Sequence, residues 1–472
     1  MRRTKIVATI GPASDPPEVL AALLDAGVDV VRLGLAHGEP KEHIERIELV
    51  REIANRRGRK VAVLADLPGP KVRAGAFPEG GAFLRENTSV ELVAGQTPSD
   101  EERIVVDEAS LTDCVTGGDT IVLGDGTVTL QCSDVDGDVV KATVRSGGRL
   151  QGRPGVHLPS DRWAPSVPTE QDLRLLDEVA PLADWVAVSF VRRAEEMIRV
   201  REALGPDGPK VMAKIETRAA VENLEDLLVV ADGVMVARGD LGIDFPIEDV
   251  PHLQKQIITA CAVRGLPVVT ATQMLASMIS APTPTRAEAS DVANAVVDGT
   301  DALMLSAETA LGHDPALAVA TMARIAERAE RSKQSISESD RGVVDRRPAG
   351  AAAVTVAMAH AAYRAAVDLD LAAVVCCTRN GVTARAMAAL RPSCRLIGAS
   401  PSCEAARQMA LSWGVEPLLV GEYGTTDELV WCVVEAAAQR GLVHKGETIA
   451  VLAGAPDSPT RGSDVLRVVT VS

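Results

Sequence analysis

Short apolar runs built mainly from valine, alanine, leucine and isoleucine alternate with helix-forming stretches along most of this chain, and the apolar runs lack polar alternation. Near the start, Ile6–Ile10 is followed by Pro16–Ala26, Val28–Leu33 by Pro40–Arg56, and then comes Val61–Ala65. A strand that is apolar on both faces belongs in a parallel sheet covered on both sides, which is the signature of βα units. After Thr169 five further runs of this kind occur, near Trp185–Phe190, Val211–Ile215, Gly233–Ala237, Pro267–Ala271 and Ala302–Leu305. Three units and five make eight, the number that closes a TIM (β/α)8 barrel.

The alternation breaks once. Between Gly69 and Val167 the runs Ser89–Val93, Thr120–Leu123, Thr127–Gln131 and Val139–Val144 are separated by Gly, Asp and Asn turns such as Gly124-Asp125-Gly126. That pattern predicts a small all-β domain inserted after the third barrel strand. Helix Pro315–Arg331 closes the barrel, the polar stretch Ser332–Arg347 reads as a linker, and alternating helices and strands from Gly350 onward predict a C-terminal open α/β domain. The expected division is barrel 1–69, inserted lid 70–167, barrel 168–340 and C-terminal domain 341–472.

Composition narrows the function classes. Hydrophobic residues make up 46% and charged residues 24% of the 472 positions, enough for several cores and too balanced for disorder. Aromatics are only 2%, so aliphatic side chains must fill those cores. A net charge of −16 repels nucleic acid and anionic membrane surfaces, and no apolar run reaches membrane-span length. An anionic substrate would need a locally positive, metal-assisted pocket. Eight cysteines with no CxxC or zinc spacing read as reduced, mostly buried thiols, and the absence of a signal-peptide pattern leads to the expectation of a cytoplasmic protein.

The chemistry concentrates where strands end. Lys214-Ile215-Glu216 follows one strand, and Arg238-Gly239-Asp240-Leu241-Gly242 follows the next at a helix start. Neighbouring strands of a barrel end side by side on its C-terminal face. An ammonium, two carboxylates and free backbone N–H groups would therefore converge on a divalent ion and an anionic ligand. That equipment suits phosphoryl or enolate chemistry.

Longer motifs sharpen this reading. Ala237-Arg238-Gly239-Asp240-Leu241-Gly242, Ala271-Thr272-Gln273-Met274-Leu275, the thirteen residues from Pro284 to Val296, and Met304-Leu305-Ser306-Ala307-Glu308-Thr309 together resemble the pyruvate kinase family along essentially the whole chain. The resemblance implies phosphoryl transfer from phosphoenolpyruvate to ADP, giving pyruvate and ATP. It implies Mg2+ or Mn2+ held by Glu216 and Asp240, Lys214 as the catalytic lysine, and Arg32 as the grip on the transferring phosphate. The Gly239 and Asp240 N–H groups with Thr272 match the site for the substrate carboxylate, and Thr272 and Ser306 match the proton-delivery network. Arg73 and His37 match residues near the nucleotide. A homotetramer, and a phosphorylated effector held near Thr378-Arg379-Asn380-Gly381, are implied in the same way.

Three loops depart from the family pattern. Gly34 and Ala36 stand where Asn and Ser usually supply oxygens to a monovalent cation, and Leu67 and Lys71 replace a threonine and a glutamate in Asp66-Leu67-Pro68-Gly69-Pro70-Lys71. Family members with lysine at the Lys71 position work without K+, so the expectation is a K+-independent enzyme in which a tethered ammonium supplies the charge. Pro154 stands where a lysine usually reaches the nucleotide phosphates, and His157 where an asparagine is usual, with Arg153 beside them as a substitute cation. These loops leave open a paralogue using another acceptor, or a non-catalytic homologue, beside the leading reading of a pyruvate kinase.

Overall fold

The computed structural model describes residues 2–124, 126–159, 162–163, 165–333, 351–454 and 463–472. Of the linker expected over 332–347, Ser332 and Lys333 continue the helix Pro315–Lys333 and the rest lies outside the described residues.

Eight parallel strands close into a barrel: β1 (Lys5–Thr9), β2 (Val30–Gly34), β3 (Ala62–Asp66), β4 (Trp185–Val188), β5 (Lys210–Ile215), β6 (Gly233–Ala237), β7 (Val268–Ala271) and β8 (Ala302–Leu305). Each is apolar on both faces because each has two apolar neighbourhoods. Ile6, Val31, Val63, Val186, Val211 and Val234 pack outward against the helices, while Val7, Val30, Leu64, Trp185, Met212, Met235 and Met304 fill the interior. With few aromatics available, one fully buried tryptophan and three methionines supply the bulk inside. Thioether side chains suit an irregular interior of this kind.

The inserted domain leaves β3 and returns before β4. It holds a six-stranded sheet, with Val156–His157, Thr120–Leu123, Val128–Asp136, Val139–Ser146, Ser89–Ala94 and Arg103–Val106 in that spatial order. A two-stranded piece, Ala82–Leu84 with Gly148–Leu150, completes it, and the domain has its own buried core around Leu92, Leu130, Val140 and Val144. Its contact with the barrel mouth includes His157, whose Nε2 lies 3.0 Å from Asp244 Oδ1.

The C-terminal domain is a five-stranded sheet in the order Val415–Leu419, Arg395–Ser400, Ala373–Cys377, Thr448–Ala453, Val465–Thr470. Its last strand is antiparallel and was absent from the sequence expectation. The helix between the strands Arg395–Ser400 and Val415–Leu419 is short, Cys403–Gln408 followed by a 3-10 turn. That turn matters, because Ala410 and Leu411 join the bottom of the barrel interior. The domain docks there through Trp185 Nε1 donating to the Gln408 carbonyl at 3.3 Å, Lys5 Nζ to the Val415 carbonyl at 2.7 Å, and the Arg407–Asp184 ion pair at 2.7 Å. No helix among the described residues is long and apolar enough to cross a membrane. Five of the eight cysteines are buried as expected, Cys394 is half-buried, and Cys403 and Cys432 are exposed; none forms a disulfide.

Candidate active site

Parallel closure brings the C-terminal ends of the strands to one rim, and the charged groups there organise around Asp66. This aspartate ends β3 and is almost fully buried. Its Oδ2 accepts from Arg32 Nε at 2.7 Å, and its Oδ1 lies 3.4 Å from Lys214 Nζ. Burial alone would raise its pKa, but the Lys214 and Arg32 charges outweigh it and hold the carboxyl below its usual range. Arg32, on β2, also donates from Nη1 to Thr9 Oγ1 at 3.1 Å. Two cations are thus fixed side by side on one buried anion.

Lys214 points inward near the end of β5. Its Nζ donates to Ser189 Oγ at 2.6 Å and lies 3.2 Å from Glu216 Oε2. Burial works against this ammonium, yet Asp66, Glu216 and Asp240 together raise its pKa above the ordinary lysine value, so it is charged at neutral pH. Glu216 is 1% exposed; its Oε1 accepts from the Phe190 N–H at 2.6 Å. Burial raises its pKa, with the nearby Asp240 adding to the rise, against the opposing pull of Lys214.

The residues fit a divalent ion. Glu216 Oε2 is buried and accepts no hydrogen bond, although it lies within ion-pair reach of Lys214. A carboxylate oxygen left in that state has a vacant lone pair directed into the site. Asp240, half-buried on the short helix Arg238–Asp244, is near enough to influence both Lys214 and Glu216. No cluster of three or more His, Cys, Asp or Glu ligands occurs among the described residues. Two carboxylates completed by water and substrate oxygens are the arrangement Mg2+ prefers over an all-protein cage.

On the far side of the rim, Thr272 and Gln273 follow β7 in left-handed backbone conformations, with φ of 66° and 54°. Two consecutive non-glycine residues there are strained and need outside support. Arg238 supplies it: the guanidinium is buried, donates to the Thr272 carbonyl at 2.6 Å and the Ala271 carbonyl at 3.2 Å, and pairs with Asp291 at 2.7 Å. The Thr272 hydroxyl donates to the Ala271 carbonyl at 2.7 Å and accepts the Gly239 N–H at 2.8 Å. Two of the three groups matched to the substrate carboxylate therefore meet each other. Ser306 follows β8, and its buried hydroxyl has no hydrogen-bond partner.

The nucleotide side is looser. His37 and Lys71 are exposed, and Arg73 donates from Nη1 to the Arg153 carbonyl at 3.3 Å. Desolvation, then the neighbouring Arg73 and Lys71 charges, lower the His37 pKa, so a neutral imidazole stands between two cations beside the inserted domain. Arg153 is committed elsewhere, with Nη2 3.1 Å from Asp107. The Gly34 position lies beside the Arg32 guanidinium, 3.7 Å from Nη2 to where a Cβ would stand.

Sequence reasoning gave no role to Asp66, Ser189, Phe190 or Arg238. Asp66, Ser189 and Phe190 stood at predicted strand ends and Arg238 inside a quoted motif. Their roles depend on cross-strand partners that no local pattern reveals.

The profile of the pyruvate kinase barrel domain matches residues 1–319, and that of the pyruvate kinase alpha/beta domain matches residues 356–469. Among curated proteins, the pyruvate kinase of Geobacillus stearothermophilus is 40% identical over all of this chain and 81% of its own length. Those of Clostridium acetobutylicum and Methylorubrum extorquens are each 37% identical over all of this chain and over 100% and 98% of their own lengths.

Proposed function

The chain belongs to the pyruvate kinase family and is a phosphotransferase of that activity, and on this premise we propose the residue roles and ion requirements by which it works. The observation that carries the reading is the pairing of Arg32 and Lys214 on Asp66, with the buried Glu216, whose Oε2 accepts no hydrogen bond, 3.2 Å from the Lys214 ammonium.

Phosphoenolpyruvate enters with its phosphate toward Arg32, whose planar fork suits two phosphate oxygens. Its carboxylate takes the Gly239 and Asp240 N–H groups and the Thr272 hydroxyl, displacing the bond that now joins Gly239 to Thr272. Lys214 stands where charge builds on the transferring phosphoryl group and then on the enolate oxygen, and stabilisation of developing charge is commonly the largest single catalytic contribution. Glu216 and Asp240 would hold Mg2+ or Mn2+, which supplies Lewis-acid neutralisation of phosphoryl oxygens. Thr272 and Ser306, whose hydroxyl has no other partner, serve proton delivery to the enolate carbon. ADP takes the positive charges of Lys71 and Arg73, with the neutral His37 ring beside them.

Independence from K+ follows as part of this reading. Neither Gly34 nor Ala36 has a side-chain oxygen to ligate the ion, and the Asp66 carboxylate is already matched by Arg32 and Lys214. Lys71 supplies the remaining positive charge from the same loop. A cytoplasmic homotetramer with a phosphorylated effector at the turn before Val382, where Thr378 Oγ1 accepts the Gly381 N–H at 3.0 Å, completes the proposal.

A lactate dehydrogenase-coupled assay with phosphoenolpyruvate, Mg2+ and ADP, in K+-free buffer, tests these points together. Pyruvate formed only with ADP is expected, and it disappears in Lys214→Met. Turnover without ADP would move the chain to another acceptor or enolate reaction, which the engagement of Arg153 with Asp107 makes the reading to exclude. A rate gain above about a hundredfold on adding K+, equal to about 2.7 kcal/mol of barrier, would overturn K+ independence.

A further inference from the structure

The turn after β4 touches both reactive groups of β5. Ser189 is 3% exposed, and its hydroxyl lies 2.6 Å from Lys214 Nζ, 2.7 Å from the Leu67 carbonyl and 3.5 Å from Asp66 Oδ1. A hydroxyl has one proton to give, and the short contact with a carbonyl oxygen takes it. Its lone pairs are then left to Lys214, which has only donors. The contacts of Lys214 with Asp66 and Glu216, at 3.4 and 3.2 Å, are longer than this bond. The serine therefore aims the ammonium, while the carboxylates set its charge.

The next residue does the same for the neighbouring carboxylate. Phe190 is held at φ 56°, a left-handed conformation unusual for a bulky residue, and its N–H donates to Glu216 Oε1 at 2.6 Å. Gly69 makes this turn possible: it lies at φ 64°, and a Cβ there would come within 2.9 Å of Ser189 Cβ and 3.0 Å of Phe190 Cδ2. The loop after β3 thus packs directly on the turn after β4.

We propose that Ser189 is a positioning residue for phosphoryl transfer, its hydroxyl fixing Lys214 against the Leu67 carbonyl while Phe190 fixes Glu216 through its backbone. This deepens the assignment of Lys214 and rests on it. A lysine freed from Ser189 keeps its charge and its carboxylate neighbours but loses its direction, and misplacement by about 1 Å can cost about a hundredfold in rate.

The test uses Ser189→Ala, Ser189→Cys and Ser189→Thr in the full chain, with Lys214→Met beside them. The Ala and Cys variants should lose about thirtyfold or more in kcat, with KM for phosphoenolpyruvate within about threefold. The Thr variant, which keeps the hydroxyl, should return to within about fivefold of the native kcat. Mn2+ binding without substrate, read by electron paramagnetic resonance, should stay within about threefold in all of them, because the Phe190 N–H is retained. A folded Ala or Cys variant with near-native kcat, or one whose loss lies wholly in KM, overturns the proposal. So does failure of both to fold, which would make the serine a structural residue. If Lys214→Met retains turnover, the assignment of the lysine falls first; if it is inactive while Ser189→Cys is native, only the role of Ser189 falls.

Discussion

His43 shows how a single buried residue can sit beside catalytic machinery without belonging to it. It lies on the helix Pro40–Arg56, 2% exposed, and neither ring nitrogen has a hydrogen-bond partner. Burial, then the Arg46 charge, lowers its pKa against the opposing pull of the Glu42 and Asp15 carboxylates. The unfolded chain, with a histidine pKa of about 6.5, therefore binds this proton more readily than the folded one. Between the lowered folded value and about pH 6.5 the unfolded state holds more protons, so stability falls as pH drops through that window. Replacing His43 with leucine removes the contribution, and melting temperatures recorded from pH 7 to 5 should fall less steeply in the variant. Equal slopes would show that the folded protein accommodates the charged ring. The site residues differ in having their charges answered: Arg32 and Lys214 by Asp66, and Arg238 by Asp291.

At the scale of elements, the barrel was legible because each strand obeys one rule, apolar on both faces, and carries it within a few residues. The expected run Ile6–Ile10 became Lys5–Thr9 and Val28–Leu33 became Val30–Gly34, shifts of one or two positions at frayed ends. The inserted domain was legible in kind, but the three-residue strands Ala82–Leu84 and Gly148–Leu150 are too short to announce themselves. The final strand, Val465–Thr470, is an edge strand with only partial burial, with Leu466 and Val469 packed against the cores on its two faces. Side-chain filling of the barrel was also hidden. Trp185 fits only because Gly233 on β6 has no side chain: a Cβ there would stand 3.1 Å from Trp185 Cζ3 and 3.2 Å from the Pro267 carbonyl. Gly233→Ala should therefore lower stability by about 1–3 kcal/mol through overpacking, with little change in kcat, since the contact lies at the opposite end of the strands from the reacting groups. A denaturant midpoint equal to that of the native protein would show that the interior has room to spare.

Across the whole molecule, β4 connects two functions that the sequence kept apart. Its upper end leads into Ser189 and Phe190; its lower end begins beside Asp184 and Trp185, which hold the C-terminal domain. Asp184 is fully buried and receives Arg407 from that domain, Arg51 from the barrel's outer helix, each at 2.7 Å, and the Val63 N–H at 2.8 Å. One carboxylate thus joins barrel strand, barrel helix and C-terminal domain. A buried carboxylate with two guanidinium partners is costly to remove singly, because both cations lose their counter-charge while half desolvated; such losses run to about 3–5 kcal/mol. Asp184→Ala should separate the unfolding of the C-terminal domain from that of the barrel. Calorimetry should show one transition becoming two, with hydrogen exchange rising first in Cys403–Gln408. If the domain's docking instead rests on Trp185, Ala410 and Leu411, the variant will unfold as a single unit, and Arg407→Ala will behave no differently from the native chain. The inserted domain is joined to the barrel mouth by the His157–Asp244 pair, by the edge-on Trp163–Phe190 ring contact at 6.3 Å and by Arg192 donating to the Pro165 carbonyl at 2.5 Å. With the floor tied by Asp184 and the inserted domain tied through Phe190 and Asp244, the rim of Asp66, Lys214 and Glu216 is braced from both ends of β4.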